Sequence, residues 1–149
     1  MMDVIIQLIG ALVGSLGFSL IFNCGKKNLI PATLGGMLGW AVYLLVEKTG
    51  VGIFISTIAA AAFCQIYAEV FSRILKTPRT VIYIPAVVPL VPGGSLYYTM
   101  YYAALNDWGK FMEYGAKTAQ VAFGMAIGAS FVSAIVLLLP KKKHCKLLT

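Results

Sequence analysis

Five long apolar segments alternate with short polar joints along this chain. Each apolar segment approaches the roughly 20 residues that a helix needs to cross a bilayer. The pattern therefore predicts an all-α integral membrane protein that forms one transmembrane domain. Its five transmembrane helices are predicted at residues 4–22, 29–46, 52–75, 81–105 and 115–139, with a basic tail at 140–149.

The fourth apolar segment contains three prolines, Pro85, Pro89 and Pro92, and then Gly93 and Gly94. A proline inside a helix lacks an N–H group and clashes with the carbonyl four residues before it. At membrane depth, a broken helix is tolerated only where it is buried in protein or lines a polar cavity. We therefore predict that the fourth helix is broken between Pro85 and Gly94, as in transporters that build binding sites from discontinuous helices.

The two ends of such a break differ in polarity. The second half-helix would present free N–H groups at Gly93, Gly94 and Ser95, which suit a carboxylate. The first half-helix would present carbonyl groups that the prolines leave unpaired, which suit a cation. Gly93 is the midpoint of residues 81–105, so the break is expected near the middle of the membrane. A substrate-binding and translocation site is the functional interpretation, and a kink required only for packing is the alternative.

Tyrosines follow the break at helical spacing, and Tyr97 and Tyr98 are the deeper ones. A buried phenol needs a hydrogen-bond partner, so these two residues are candidates for the wall of the substrate cavity. Tyr101 and Tyr102 lie further along and fit an interfacial aromatic belt.

The third segment ends in a polar stripe of Gln65, Glu69 and Arg73, spaced four residues apart on one helix face. Ionisable groups at membrane depth tend to be functional, so the stripe is a candidate gate or proton-coupling element. An ion pair at the membrane interface is the alternative interpretation.

Composition and charge exclude several other classes of protein. Hydrophobic residues make up 60% of the 149 positions and charged residues 11%, which leaves no room for a separate soluble domain. The net charge of +7 is scattered between apolar segments, whereas a nucleic-acid surface would collect it on one face. We therefore expect a lipid bilayer as the surroundings, and no nucleic-acid partner.

Basic residues are distributed unequally between the two sides of the predicted membrane domain. The side with the first and third joints and the tail has nine, and the other side has three. The positive-inside rule then places the N-terminus outside and the C-terminus in the cytoplasm of a multi-pass plasma or inner membrane protein. A re-entrant hairpin in place of the fourth helix would send the tail outside, so we prefer a broken helix that spans. The nine residues are Lys26, Lys27, Arg73, Lys76, Arg79, Lys141, Lys142, Lys143 and Lys146.

Catalytic and metal-binding patterns are not found in the sequence. The five acidic residues form no obvious pair, and the three cysteines and one histidine lack the spacing of a metal site. We therefore expect no enzyme activity, no metal and no cofactor.

Small residues recur on three of the predicted helices. Gly10 and Gly14, Gly35 to Gly39, and Gly124 and Gly128 create faces on which helices can approach closely. Packing within the chain is one interpretation, and contact with a partner or a second copy in an oligomer is another.

Residues 68–98 carry a resemblance to a known family. The elements are Ala68-Glu-Val-Phe-Ser-Arg73, Lys76-Thr-Pro78, Ile84-Pro-Ala-Val-Val-Pro-Leu-Val-Pro-Gly93 and Tyr97. Together they are similar to the small subunit of the threonine/serine exporter family, which is the C-terminal five-helix half of its split, two-component form. Outside this region the chain resembles the family in hydropathy and helix count.

The resemblance implies a function and a partner. It implies export of threonine/serine-type amino acids, or of dicarboxylates such as succinate, driven by the proton gradient and performed together with a larger homologous subunit in the same membrane. A coupling carboxylate would then reside on that larger subunit, in keeping with the lack of an acidic residue at mid-membrane here. A non-transporting assembly or regulatory subunit and a passive channel are the alternatives.

Overall fold

The computed structural model describes residues 2–138, and every regular element in this range is helical. The helices are α1 (Met2–Ile21), α2 (Lys26–Glu47), α3 (Ile53–Leu75), α4 (Arg79–Val87), α5 (Gly93–Ala104) and α6 (Trp108–Leu138), and a 3-10 turn (Val88–Leu90) follows α4. The basic cluster of the tail lies outside the described residues.

The length and hydropathy of the helices are compatible with an all-α membrane protein. Within the described residues α1, α2, α3 and α6 are each long and apolar enough to cross a bilayer. The pair formed by α4 with its 3-10 turn and α5 meets the same criterion together, with a bend of 53° between its parts. Many large apolar side chains of α1 and α6 are exposed, as lipid-facing helices require.

The packing of α6 on α3 shows that the bent pair, α4 and α5, runs from one end of the bundle to the other. A methyl group on Gly124 would lie 3.1 Å from the Phe54 carbonyl oxygen, and further along both helices Gln65 donates a hydrogen bond to Ser133 (2.9 Å). These two helices therefore run in the same direction. The chain between them must return from one end of the bundle to the other, so α4 and α5 connect opposite ends.

The glycines of α2 and α6 allow the close approach of helices that the sequence predicts. A methyl group on Gly39 would collide with the sulfur of Cys64, and one on Gly36 with the hydroxyl of Ser15. A methyl group on Gly128 would likewise come too close to the Ile58 carbonyl oxygen of α3. By contrast, Gly10 and its neighbours on the same face of α1 meet nothing within 4 Å in this chain.

The last helix begins at Trp108, which is earlier than the predicted start at residue 115. Asn106 adopts a left-handed conformation (φ 57°) that ends α5, and the Asp107 carboxylate accepts a hydrogen bond from the Lys110 N–H (3.2 Å). This is the geometry of a helix N-cap, so the polar joint starts the helix instead of separating two segments. Residues 108–114 then pair with α5 through stacking of Tyr114 on Tyr102.

Candidate functional site

The fourth helix is broken inside the predicted range. α4 ends at Val87, the 3-10 turn ends at Leu90, and Val91 is extended (φ −62°, ψ 129°) before α5 begins at Gly93. Pro89 and Pro92 cannot donate the backbone hydrogen bonds that would have continued α4. The proline pattern therefore identified both the broken helix and the residues at which the second half begins.

The break begins at the middle of the bundle and extends from there towards one end. Pro89 contacts Gly36 at the middle of α2, and Ala86 contacts Cys64 at the middle of α3. Gly93 shares a cavity with Thr57, which lies seven residues from Cys64, or ~10 Å along a helix. The position of Gly93 near mid-membrane stays a prediction, and α5 continues from it at an angle of 53° to the first half of the pair.

A cavity of ≈ 230 Å³ lies at the break, and we call it the break cavity. Its wall combines the broken segment with one side chain or more from each of three other helices. Gly93 and Gly94 leave it open, since a methyl group on either would meet nothing within 4 Å. The lining residues are Pro89 to Ser95 together with Trp40, Tyr43, Thr57 and Val121.

Polar groups at the break cavity are hydrogen-bond donors. Gly93 donates to the Val91 carbonyl (2.7 Å) and Leu96 donates to that of Pro92 (3.0 Å). The intervening N–H groups of Gly94 and Ser95 lie in the first turn of α5, where a helix supplies no acceptor. Together with the positive end of the α5 dipole, they form a place for a carboxylate.

Trp40 adds a further donor to this region. Its indole N–H is buried and has no hydrogen-bond partner among the described residues. A buried N–H without a partner costs free energy of about 1–3 kcal/mol, so an acceptor that enters beside Trp40 would relieve this cost. The ring itself stacks on Tyr43, with ring centres 5.1 Å apart.

The carbonyl end of the break differs from the expectation. Two carbonyls of α4 accept hydrogen bonds from other segments: the thiol of Cys24, in the joint between α1 and α2, donates to Val81 (3.4 Å), and the Cys64 thiol of α3 donates to Ala86 (3.7 Å). Burial raises the pKa of the Cys24 thiol, so it keeps the proton that it donates. The first half-helix therefore offers an ammonium ion fewer unpaired carbonyl groups than the sequence predicts.

Three other predicted site residues lie away from the break cavity. Pro85 is fully buried in the bundle, and it does not line the break cavity. Tyr97 and Tyr98 are 63% and 45% exposed on α5, and neither lines the break cavity. Tyr98 instead packs against the ring of Tyr114 on α6 (5.3 Å between ring centres).

A second cavity, of ≈ 460 Å³, lies between α3, α4 and α6 near the joint of α3 and α4. We call it the Arg79 cavity. It brings together groups that are far apart in the sequence, and most of its polar lining consists of hydroxyl groups. The polar residues of its wall are Gln65, Arg79, Thr80, Tyr83, Ser130 and Ser133.

The predicted polar stripe on α3 divides into two contacts. Glu69 forms an ion pair with Arg73 (2.8 Å) and reaches Arg79 with its other oxygen (3.8 Å). Gln65 is buried and points to α6, where it is bonded to Ser133. The stripe therefore lies beside the Arg79 cavity, with Gln65 inside its wall.

A hydrophobic cluster separates the two cavities. Its buried centre consists of Ala60, Cys64 and Leu90. Tyr83, from the wall of the Arg79 cavity, packs against one side of this centre, and Trp40, from the wall of the break cavity, packs against it as well. The cavities are thus two compartments with a packed barrier between them.

A comparison with known families assigns the chain to one of them. The family model described as Threonine/Serine exporter, ThrE, matches residues 7–135, which is most of the chain. The chain belongs to the threonine/serine exporter family. No solved structure matches it. Membership indicates an exporter-type transporter in a membrane, and it agrees with the resemblance seen at residues 68–98.

The sequence of this exporter-family chain did not identify every residue of the two cavities. Arg79 was counted only as a loop charge, because the apolar run begins at Val81, whereas α4 begins at Arg79 itself. Trp40 lies in an ordinary apolar segment, and only the approach of α2 to the break gives it a role. Ser130 and Ser133 were hidden in the last helix, although polar residues at that depth are a usable signal.

Proposed function

We propose that this chain is one half of a secondary exporter for small metabolites that carry a carboxylate. The observation that carries the proposal is the break cavity, where the N–H groups of Gly94 and Ser95 lie at the start of α5. Discontinuous helices that point their N-termini at a carboxylate are a recurring device of secondary transporters. The match to the exporter family supports the same conclusion.

The cargo fits amino acids of the threonine/serine type better than larger molecules. A cavity of ≈ 230 Å³ is below the roughly 300–1,000 Å³ of sites for drug-sized ligands. Dicarboxylates such as succinate are the second candidate class, and their second carboxylate would need a cation that the break cavity lacks. The Tyr43 hydroxyl donates to Glu47 (3.4 Å), so towards the cargo it would act only as a hydrogen-bond acceptor.

The distribution of charge supports one membrane orientation. The end of the bundle that contains the α3 to α4 joint has five basic residues in the described part, and the opposite end has three. We infer that the end with the Arg79 cavity faces the cytoplasm. A cysteine at exposed Lys76 should react with a membrane-impermeant maleimide only in inside-out vesicles; reaction in intact cells would reverse the orientation.

A larger homologous subunit is the partner that we propose. Within the described residues α5 has no buried side chain and packs mainly on α6, so one wall of the break cavity is open to the surroundings. A partner in the same membrane would close this wall and complete the site. A second copy of this chain is the alternative occupant.

Proton coupling is proposed to involve Glu69, which lies between Arg73 and Arg79. A carboxylate that exchanges its ion pairs with a proton would link the proton gradient to movement of the cytoplasmic end. Replacing Glu69 with glutamine should reduce gradient-driven export several-fold, while exchange of substrate without a gradient continues. Unchanged gradient-driven export at normal abundance would make the ion pair purely structural.

Efflux from cells tests the proposed function. Cells loaded with radiolabelled serine, threonine or succinate would express this chain alone, the larger subunit alone, or both. We expect accelerated efflux of at least one substrate only with both proteins, and its loss when the proton gradient is collapsed. Efflux with the partner alone, at the same rate as with both, would instead favour an assembly or regulatory role for this chain.

A passive channel is a weaker alternative, because the hydrophobic cluster around Leu90 blocks a continuous path between the two cavities. A channel would equilibrate substrate without regard to the proton gradient. Accumulation against a substrate gradient in the efflux experiment would therefore exclude it.

A further inference from the structure

The Arg79 cavity has twice the volume of the break cavity, at ≈ 460 Å³ against ≈ 230 Å³. Its wall holds a guanidinium, an amide and four hydroxyl-bearing residues, and so it offers a cation that the break cavity lacks. It lies at the end of the bundle where α3 joins α4, which is the end that we assign to the cytoplasm. This position is where a molecule leaving the cytoplasm would first meet the protein.

Arg79 is only loosely held by its neighbours. Its guanidinium lies 3.8 Å from Glu69, which is beyond hydrogen-bond distance, whereas Arg73 binds the same carboxylate at 2.8 Å. No described residue accepts a hydrogen bond from the Arg79 side chain. A guanidinium has five N–H donors in a planar fork and binds a carboxylate through two of them. An incoming carboxylate could therefore bind Arg79 without separating Glu69 from Arg73.

Gln65 shows that the wall of the Arg79 cavity opposite Arg79 is an ordered, buried contact between α3 and α6. The residue is only 4% exposed, and its amide donates to the Ser133 hydroxyl at 2.9 Å. This bond fixes the amide at the boundary between α3 and α6. Thr80 and Tyr83 contribute hydroxyl groups from α4 to the same space, so a bound carboxylate and a second polar group of the ligand would both find partners.

The distance between the cavities decides whether they form one site or two. Arg79 and Leu90 are separated by twelve helical residues, counting both, which corresponds to ~18 Å. A three- or four-carbon metabolite cannot reach from Arg79 to Gly93. The hydrophobic cluster around Cys64 also lies between them. A ligand would occupy the cavities one after the other.

We propose that the Arg79 cavity is a separate loading site for a small carboxylate on the cytoplasmic side, with Arg79 as the cation that binds it. The identity of the ligand as the exported metabolite rests on the proposed function, whereas binding of a carboxylate does not. Selectivity at this step is for the carboxylate itself, since an uncharged amide of the same shape would leave Arg79 without an anionic partner. A dicarboxylate would also find here the cation that the break cavity does not offer.

A cysteine in the cavity wall reports its occupancy. Ser130 lines the cavity and is exposed, so Ser130→Cys should react with a water-soluble maleimide in inside-out vesicles that contain both subunits. Cys24 and Cys64 are buried, and Cys145 would be replaced by serine to remove its reaction. We expect serine, threonine or succinate to slow the labelling at least threefold, and serinamide to leave it unchanged.

Substitutions of Arg79 test whether this residue causes the protection of Ser130→Cys from labelling. Arg79→Gln should abolish protection and Arg79→Lys should weaken it, because lysine keeps the charge but not the bidentate geometry. Lys76→Gln is the matched control, since it removes a cation from the same joint without changing the cavity wall, and it should leave protection intact. Equal protection in Arg79→Gln and the parent would overturn the proposal, as would equal protection by serinamide.

Transport in the same vesicles separates this inference from the proposed function. Arg79-dependent protection without transport of any tested metabolite would support the loading site and count against the exporter. Transport of a carboxylate that gives no protection, at concentrations that saturate transport, would remove the loading site and leave the exporter standing. If Arg79→Gln fails to reach normal abundance, the other two variants decide the question. Weaker protection in Arg79→Lys than in Lys76→Gln supports the loading site, and equal protection in both overturns it.

Discussion

Replacing Gly93 with valine is expected to reduce export about tenfold or more while the protein remains folded and abundant. A side chain at this position meets nothing within 4 Å, so it would project into the open space of the break cavity and displace substrate. Overpacking a site costs about 1–3 kcal/mol, and about 1.4 kcal/mol corresponds to a factor of ten. The measurement is initial efflux of radiolabelled serine or threonine, normalised to the amount of protein in the membrane.

Gly17→Val provides the matched control for this result. Gly17 also has nothing within 4 Å, but it lies on α1 and away from the break. Export by this variant should stay within twofold of the parent. Normal export by Gly93→Val at normal abundance would contradict the assignment of the break cavity as a substrate site.

Replacing Gly39 with alanine is expected to destabilise the bundle by about 1–3 kcal/mol. The new methyl group would collide with the sulfur of Cys64, at the point where α2, α3 and α4 meet. Either α2 must move away from α3 or Cys64 must leave its position beside the Ala86 carbonyl. Thermal unfolding of the detergent-solubilised protein, together with its membrane abundance, measures the effect.

A second substitution tests the cause of this loss. Cys64→Ala removes the sulfur, after which the next atom near the new methyl group is the Ala86 carbonyl oxygen at 3.8 Å, an ordinary contact. The double variant should therefore recover much of the stability that Gly39→Ala loses. Gly10→Ala, in open space on α1, should cost far less. Additive losses in the double variant would show that the packing around Gly39 is not as described.

The broken helix could be predicted from the sequence because its cause is local. A proline removes a hydrogen bond wherever it stands, so Pro89 and Pro92 determine that α4 ends. Gly93 then begins α5, as the pattern indicated. The five apolar segments could be predicted for a similar reason, because in lipid each segment must hydrogen-bond its backbone N–H and C=O groups within its own helix.

The angle at the break was beyond prediction because it depends on packing between distant segments. Residue counting assumes a straight segment, whereas α5 turns by 53° and packs on α6. Gly93 consequently marks the point at which the second half turns away from the axis of α4. The position of Tyr97 and Tyr98 on the outer surface follows from the same turn.

The composition of the two cavities was likewise hidden in the sequence. Arg79 and Ser133 are 54 positions apart, and only the parallel packing of α6 on α3 brings them into one wall. The sequence suggested that the carbonyls freed by the prolines would stay unpaired, whereas two carbonyls of α4 have hydrogen-bond partners in the structure. The partners are thiols on other segments, Cys24 and Cys64, and no local pattern identifies them.

In the proposed function, the two cavities and the barrier between them would form a transport path in three parts. Substrate would enter at Arg79, pass the cluster around Leu90 and reach the N–H groups at the start of α5. The packed cluster must open for this passage, so movement of α4 against α3 is the expected conformational step. Coupling to protons would act on this step through the ion pairs of Glu69.

Transport by purified protein tests the central claim most directly. Proteoliposomes containing this chain and the larger subunit would be loaded with radiolabelled serine, threonine or succinate, and efflux would be followed with and without an imposed proton gradient. The account predicts gradient-stimulated efflux that requires both proteins and is lost with Gly93→Val. Efflux that is unchanged when this chain is omitted would contradict it.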